Sequence, residues 1–435
     1  MDLVTRTPTR PDVGSAGLSA DLDTLDEVLA ARSIRTVFQP IVRLATGEVV
    51  AHEALTRGPA GPLEGPDALF SAATASGRLA ELDAACRVSA FRSAASAGLS
   101  APLAVFVNVE PAVLDTAPLD ELLDIARTAP GGLRVVLEIT ERAVSARPAE
   151  LLRTVERVRE AGWGLALDDV GVEADSLAFM AVLRPDVVKL DMALVQGRPD
   201  QAAAEVMHAV NAYAEHSGAL VLAEGIETDA HLANARALGA TLGQGWMFGR
   251  PTLRPAVTPP TDGLDLRTAH SVSAPALAAS PFAALAEGTV LQRSSKRLLI
   301  ELSKQLEREA ARLGDTCVVA AAFQEARHFT EPTARRYEEL VERTAFVCAL
   351  GEGLSEEPLP GVRGASLEHG DPLRGEWDIV VLSPHFCTAL LARDLGDGGP
   401  DMDRTFEYAL TYQRDVVVNA AQAMLARVAP RTPSS

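Results

Sequence analysis

At 435 residues the chain exceeds one ordinary hydrophobic core, and its 47% hydrophobic content belongs to two or three folded units and not to a disordered chain. A formal net charge of −19 with no strongly basic window excludes coating of DNA or RNA polymers, yet leaves room for a small anion held by metals in a local cleft. No apolar run is long enough to span a bilayer and the first residues lack a hydrophobic signal core, so a soluble, cytoplasmic protein without membrane insertion is expected.

Residues 1–19, rich in Pro, Thr, Gly and Ser, read as a disordered lead. From about residue 22 the apolar spacing is helical. Short β-like runs follow at 37–42, 49–55, 105–109, 135–139, 165–170, 187–190, 220–223 and 243–248, most separated by Ala/Leu/Arg-rich segments of helical period. Near-continuously apolar strands alternating with helices indicate a parallel sheet covered on both faces, and eight of them fit a TIM-type (β/α)8 barrel better than an open doubly wound sheet, the alternative. The first two runs are joined by a hairpin-length turn around Gly47, too short for a parallel crossover, so the first strand should run antiparallel to the second. The barrel is therefore assigned to 20–253. Residues 254–290, rich in Pro, Ala, Ser and Thr, read as a linker. A smaller α/β domain follows over 291–430, with a helix from about 294, strands at 316–322, 346–350 and 377–383, and a last amphipathic helix from about 401 to 428.

Two residue types are used unusually. Cys86, Cys317, Cys348 and Cys387 are far apart and form no CxxC pair, which points to buried free thiols. Of 40 basic residues only Lys189, Lys296 and Lys304 are lysines, so each lysine that survives the arginine bias invites a functional question.

Acidic and amide side chains recur at the ends of the barrel runs: Glu53, Asn108, Glu138 with Glu141, Asp168 with Asp169, Lys189 with Asp191, and Glu224 with Glu227. In such barrels active sites assemble at the C-terminal ends of the strands. A single strand-end carboxylate is usually a helix cap or a solvated loop group. A whole ring of them, if convergent, needs cations to offset the repulsion. Oxygen ligands suit Mg2+ or Mn2+, and an adjacent pair such as Asp168-Asp169 can serve two ions about 4 Å apart in phosphoester displacement. No HExxH or His/Cys cluster supports zinc, and strand alternation turns His52 away from Glu53. An ammonium such as Lys189 can orient a water or offset developing phosphoryl charge.

The ordered stretches FQPI, EALTR, VNVEP, EITER, DDVG, KLD, AEGIET and LGQGWMFGRP, within about 22–253, resemble the EAL-type cyclic-di-GMP phosphodiesterases, which are barrels with an antiparallel first strand. The resemblance implies two bound ions, Mg2+ or Mn2+, held by Glu53, Asn108, Glu138 and Asp168, with Asp169 completing the second position and Glu224 close by. Lys189 would hold the hydrolytic water, and with Glu53, Asp169 and Glu224 forms the implied catalytic set. Arg57 would contact a ligand phosphate, Gln39 and Gln244 the guanine and the mouth. Glu141 would support the loop after the fifth strand, with Asp191 and Glu227 behind the ligand set. The implied reaction turns cyclic di-GMP into linear pGpG, in a homodimer.

Three departures stand out: Val170 in place of the aromatic of DDFG, an altered loop over 171–177, and Glu110 in place of a small polar residue. They keep two other readings open, a silent cyclic-di-GMP receptor and a dimerisation scaffold. The segment from about 290 to 430 resembles the DICT sensory domain through Phe323-Gln324-Glu325, the 335–343 helix, the 375–383 strand and Arg404–Tyr408, implying an unknown signal or protein partner. Trp377, Phe386, Phe406 and Tyr408 are either pocket-lining or core aromatics.

Overall fold

The computed structural model describes residues 25–110, 119–140, 147–171, 175–198, 200–266 and 277–429. Eight strands close a barrel: β1 (Arg35–Arg43), β2 (Val49–Arg57), β3 (Ala104–Asn108), β4 (Arg134–Thr140), β5 (Gly164–Val170), β6 (Val187–Leu190), β7 (Leu220–Ala223) and β8 (Leu242–Gln244). Strand β1 is antiparallel to both β2 and β8, and every other pair is parallel. The short hairpin at Gly47 leads to the reversed strand expected of it. The last strand stops at Gln244, short of the expected 248. Gly245 turns there with φ of 153°, and a Cβ on it would lie 2.1 Å from the Ile226 carbonyl oxygen, so only glycine lets the loop after β7 close against this end.

Side-chain alternation divides the barrel interior into storeys. Ala51, Phe106, Val136, Ala166, Val187, Leu222 and Leu242 form one apolar storey with Ile41. Two residues further on, the same strands or their immediate ends place Glu53, Asn108, Glu138, Asp168, Lys189, Glu224 and Gln244 above it, and Gln39 of the reversed β1 joins them from the opposite direction. A one-residue slip would exchange this polar storey for outward-facing valines and leucines, so burial of the two faces fixes the register. The floor is closed by the Pro-rich stretch expected as a linker. Its Leu264 and Leu266 join the apolar storey, and the Arg134 guanidinium donates to the Leu264 carbonyl.

The second unit is a seven-stranded sheet in the order β12-β11-β10-β13-β14-β15-β9. The strands are β9 (Gln292–Ser295), β10 (Val318–Glu325), β11 (Phe346–Glu352), β12 (Val362–Ala365), β13 (Glu376–Leu382), β14 (Cys387–Asp394) and β15 (Thr405–Thr411). The amphipathic helices Lys296–Leu313 and Glu331–Val341 cover one face. Helix Arg414–Leu425 covers the other and also packs on barrel helix Asp175–Leu183, so one apolar core runs from barrel wall to sheet. Phe179 meets Phe346 edge-on at 5.2 Å, Gln422 donates to the Val182 carbonyl at 2.6 Å, and Arg184 donates to Asn419 Oδ1 at 2.9 Å. The expectation of one helix from 401 to 428 is corrected. Residues 405–411 form a strand, because Phe406 and Tyr408 enter the sheet core while Glu407 pairs outward with Arg393 on β14. All four cysteines are buried free thiols.

Candidate active site

Lys189 is the centre of the polar storey. It is only 1% exposed, and its ammonium lies 2.7 Å from Glu138 Oε1, 2.8 Å from Glu224 Oε1, 3.0 Å from Asp168 Oδ1 and 3.6 Å from Glu53 Oε1. Asn108 Nδ2 donates to Glu53 Oε1 at 3.2 Å, and Gln244 Nε2 donates to Glu53 Oε2 at 2.7 Å. Side chains from six strands and the end of β7 thus meet in one mouth, although 191 residues separate Glu53 from Gln244.

Asp168 and Asp169 owe their placement to a break in the ladder. The β5–β6 register shifts between Leu167 and Val170, and Asp169 takes a left-handed φ of 58°, uncommon for a residue with a Cβ. Its exposed side chain therefore does not follow simple alternation from its buried neighbour, and its backbone N–H donates to Asp168 Oδ1 at 3.0 Å. Val170, where the resemblance leads one to expect an aromatic, is fully buried in the wall. The Glu110 N–H donates to buried Asp83, itself paired with Arg87 at 2.6 Å, which anchors the chain as it leaves β3.

The other expected residues lie nearer the rim. Gln39 sits opposite Glu53 in the β1–β2 register and donates to the Gly249 carbonyl. Arg57, at the end of β2, donates to the Thr56 carbonyl at 2.7 Å. Asp191 caps helix Met192–Gln196 by accepting from the Ala193 N–H at 2.7 Å. Glu227 is exposed, with its backbone N–H directed at His231. Neither enters the group around Lys189. Glu141 and residues 172–174 of the altered loop lie outside the described residues. His52 points away, buried, with its pKa pushed down to about 4 by desolvation. One rim residue escaped the residue-by-residue reading. Trp246 is 53% exposed just beyond Gln244 and carries the Arg250 guanidinium 4.0 Å over its ring, a placement signalled only by an aromatic following the glycine turn.

The electrostatics are unbalanced, since four carboxylates face one ammonium. Burial pushes Glu138 well above the usual carboxylate range, and pushes Glu224 up to about 8. Burial also opposes the charged form of Glu53, but Lys189 and hydrogen bonds from Gln244, Glu138 and Asn108 outweigh it and hold the Glu53 carboxyl below its ordinary value. Lys189 loses to burial and regains more from its carboxylates, ending well above the usual lysine range. Beyond the ion pair, both Glu138 oxygens and Gln244 Oε1 are buried without a hydrogen-bond donor among the described residues. Among those residues no three His, Cys, Asp or Glu side chains form a finished metal cage, because the ammonium stands between the carboxylates. Oxygen-only donors, surplus negative charge and donorless buried oxygens nevertheless fit a hard divalent cation.

Two family models and several known proteins match parts of this chain. A model described as "EAL domain" matches residues 22–251, and one described as "Sensory domain in DIguanylate Cyclases and Two-component system" matches 282–395. Cyclic di-GMP phosphodiesterase NbdA of Pseudomonas aeruginosa is 35% identical over 241 residues, 53% of this chain and 30% of NbdA. Probable cyclic di-GMP phosphodiesterase PdeB of Escherichia coli K12 is 31% identical over 234 residues, 52% of this chain and 44% of PdeB. A Klebsiella pneumoniae BlrP1 structure, a calcium and cyclic di-GMP complex, is 29% identical with a TM-score of 0.47, covering 52% of this chain and 57% of that one. The chain spans less than half the length of these two curated relatives. Among the described residues no helix is long and apolar enough to cross a membrane. The chain belongs to the EAL domain family.

Proposed function

We propose that the barrel hydrolyses one phosphodiester of cyclic di-GMP to give linear pGpG, and that two divalent ions, Mg2+ or Mn2+, are required. The observation that carries this reading is the buried Lys189 ammonium ringed by Glu53, Glu138, Asp168 and Glu224 at the C-terminal mouth of the barrel. Glu53, Asn108, Glu138, Asp168 and Asp169 would hold the ions, with Glu224 at their edge. When bound, such ions activate water and offset the charge of the phosphoryl oxygens.

The chain's own residues do the rest. Gln244 and Asn108 fix Glu53 by a hydrogen bond to each carboxylate oxygen, so its orientation is set before any ligand arrives. Lys189, charged at any physiological pH, directs its N–H groups into the mouth, where it orients a water and offsets negative charge as the P–O bond breaks. Arg57 and Gln39 line the approach for phosphate and base, and Trp246 offers a half-exposed ring on which a purine can stack. Helix Asp175–Leu183 begins a few residues beyond Asp169 and is clamped by helix Arg414–Leu425, which supports regulation of the barrel by the sheet domain. The homodimer implied by the resemblance is checked by molar mass in solution.

The test is incubation with cyclic di-GMP and Mg2+ or Mn2+, followed by chromatography. Formation of pGpG that is lost in Glu53→Ala and Lys189→Ala supports hydrolysis. Tight binding without pGpG makes the barrel a receptor, and neither binding nor product leaves it a scaffold.

A further inference from the structure

Outside the barrel, the sheet domain encloses a cavity of about 490 Å3 between its covering helices and β10 and β13, within the usual size for small-molecule sites. Its floor is aromatic. Phe323 packs edge-on against Tyr337 at 5.6 Å and Trp377 at 5.8 Å, and Trp377 Nε1 donates to Ser303 Oγ at 3.1 Å. Trp377 therefore presents a ring fixed by a hydrogen bond. Of the aromatics singled out in the sequence, Trp377 lines this space, while Phe406 and Tyr408 belong to the packed core.

The charges are distributed unlike those of the rest of the molecule. In a chain of net charge −19, this cavity is lined by Lys296, Lys304, Arg327 and Arg336 and by the carboxylates of Glu307 and Asp401, with Lys304 and Arg327 paired to Glu301 and Glu325 at 2.7 Å each. The side chain of Asp378, a third acidic residue on the wall, belongs to the opposite face of the sheet, where it accepts from the Ala392 N–H. Glu307 is already taken by Arg336 at 2.5 Å. Two of the chain's three lysines stand here.

Lys296 is the most constrained of them. It is 1% exposed, and its ammonium lies 5.0 Å over the Trp377 ring. His328 Nδ1 lies 2.8 Å from the Phe323 carbonyl, which can only accept, so that nitrogen carries the proton. His328 Nε2 is then a lone-pair acceptor, 3.1 Å from the Lys296 ammonium. The remaining N–H groups of Lys296 go to both oxygens of Asp401, at 3.0 and 2.9 Å. Asp401 is 44% exposed, on a three-residue turn at the edge of the cavity beside Met402. It has a second cationic partner in Arg404, at 2.7 Å. A carboxylate reaching in from a half-exposed turn to a buried ammonium occupies the position that an acidic ligand would take, and Arg404 can keep Asp401 when it is displaced. The Tyr337 hydroxyl, fully buried on the wall, has no hydrogen-bond partner among the described residues.

We propose that this cavity binds a small organic anion with a flat apolar body, the body lying against Trp377 and Tyr337 and the acidic group taking the place of Asp401 on Lys296. A cationic ligand is disfavoured because both carboxylates of the lining are already held, Glu307 by Arg336 and Asp401 by Lys296 and Arg404. This site is independent of the reading of the barrel and stands whether or not cyclic di-GMP is hydrolysed.

The test is calorimetric titration of the full chain with four probes: 2-naphthoate, 2-naphthyl phosphate, neutral 2-naphthol and cationic 2-naphthylmethylammonium. At least one of the two anions is expected to bind about ten- to hundredfold tighter than the neutral and cationic probes, the worth of one charge-assisted hydrogen bond. The stronger anion identifies the acidic group as carboxylate or phosphate. Lys296→Met is expected to erase that preference. Ile300→Trp, a substitution that fills the cavity from a half-buried helix position, is expected to weaken every probe and keeps the test decisive if Lys296→Met does not fold. Equal or tighter binding of the neutral or cationic probe, no binding of either anion, or anion binding unchanged in Ile300→Trp would overturn the proposal.

Discussion

The barrel mouth and the sheet cavity are each built around a buried lysine, and they differ in what surrounds it. Lys189 faces four carboxylates and has more negative charge around it than it can offset. Lys296 faces one half-exposed carboxylate, a neutral imidazole and an indole. The same ammonium thus serves opposite ends. In the barrel it is one cation where more are needed, whereas in the cavity it is the group for which an anion would compete. Burial makes both arrangements consequential, because a desolvated charge without its partner is costly.

The comparison breaks most visibly in catalysis. Lys189→Met is expected to lower pGpG formation by about 10²–10³-fold, the usual loss when a group aimed at developing charge is removed. Lys296→Met is expected to leave the basal rate within about twofold, since an effect of that size is small on the free-energy scale of catalysis. Equal losses in the two variants would show that Lys189 acts through the fold alone. The stability effects should rank the same way. Without metal, Lys189→Met strands buried carboxylates and is expected to cost about 3 kcal/mol, in the range for breaking a buried ion pair. Lys296→Met leaves Asp401 half-exposed and still paired with Arg404, so about 1 kcal/mol is expected by analogy with exposed pairs. Urea denaturation of both variants in chelator measures the difference.

Proton linkage sharpens the contrast at the next level of magnitude. Glu224 is pushed up to about 8 when folded, so between its ordinary carboxylate value and about pH 8 the folded chain holds a proton that the unfolded chain has released. Stability of the metal-free protein should therefore fall as pH rises through that window, by at most about 1.4 kcal/mol per pH unit for this one proton. Glu138, raised by burial in the same direction, adds to the slope. Bound cations favour the deprotonated carboxylates, so Mg2+ or Mn2+ should raise the melting temperature more at pH 8 than at pH 6. A metal effect of the same size at both values would mean that the ions bind somewhere other than this mouth.

How much of this was legible in the sequence follows from the distance over which each feature is determined. Strands β3 to β7 were readable because each is a short apolar run between helical segments, and the strand-end acids were readable because alternation is a two-residue rule. The meeting of Glu53 with Gln244 was not contained in any spacing. It follows from closure of β8 onto β1, and in the sequence only the likeness to a known family pointed to it. The left-handed turn at Asp169 left no local signal either, since neither neighbour is a glycine. In the sheet domain the short edge strands β9 and β12 were missed, and so were β14 and β15. CTALLARD is too short to tell strand from helix by period, and TFEYALT leads straight into a true helix, so the two merge into one amphipathic stretch. The apolar floor of the barrel was hidden for another reason. Leu264 and Leu266 are isolated leucines in a Pro-rich stretch, where composition signals a linker and says nothing about two side chains that enter a cavity.

The smallest expected effect concerns one of the contacts that join the two regions. Arg184 follows helix Asp175–Leu183 and donates to Asn419 Oδ1 on helix Arg414–Leu425 at 2.9 Å, so a change in the sheet has a direct mechanical route to the segment after Asp169. Arg184→Ala, Asn419→Ala and the double variant form a cycle whose coupling in urea denaturation is expected to be about 0.5–1.5 kcal/mol, the worth of one part-buried hydrogen bond. Because this bond is weak, it can transmit a bias without locking the domains together. Its loss should leave both lysine sites intact while reducing any change in pGpG formation that a naphthyl anion produces. A coupling of zero, with that response unaltered, would remove this bond from the route and leave the Gln422–Val182 hydrogen bond and the apolar contact between Phe179 and Phe346 to carry it.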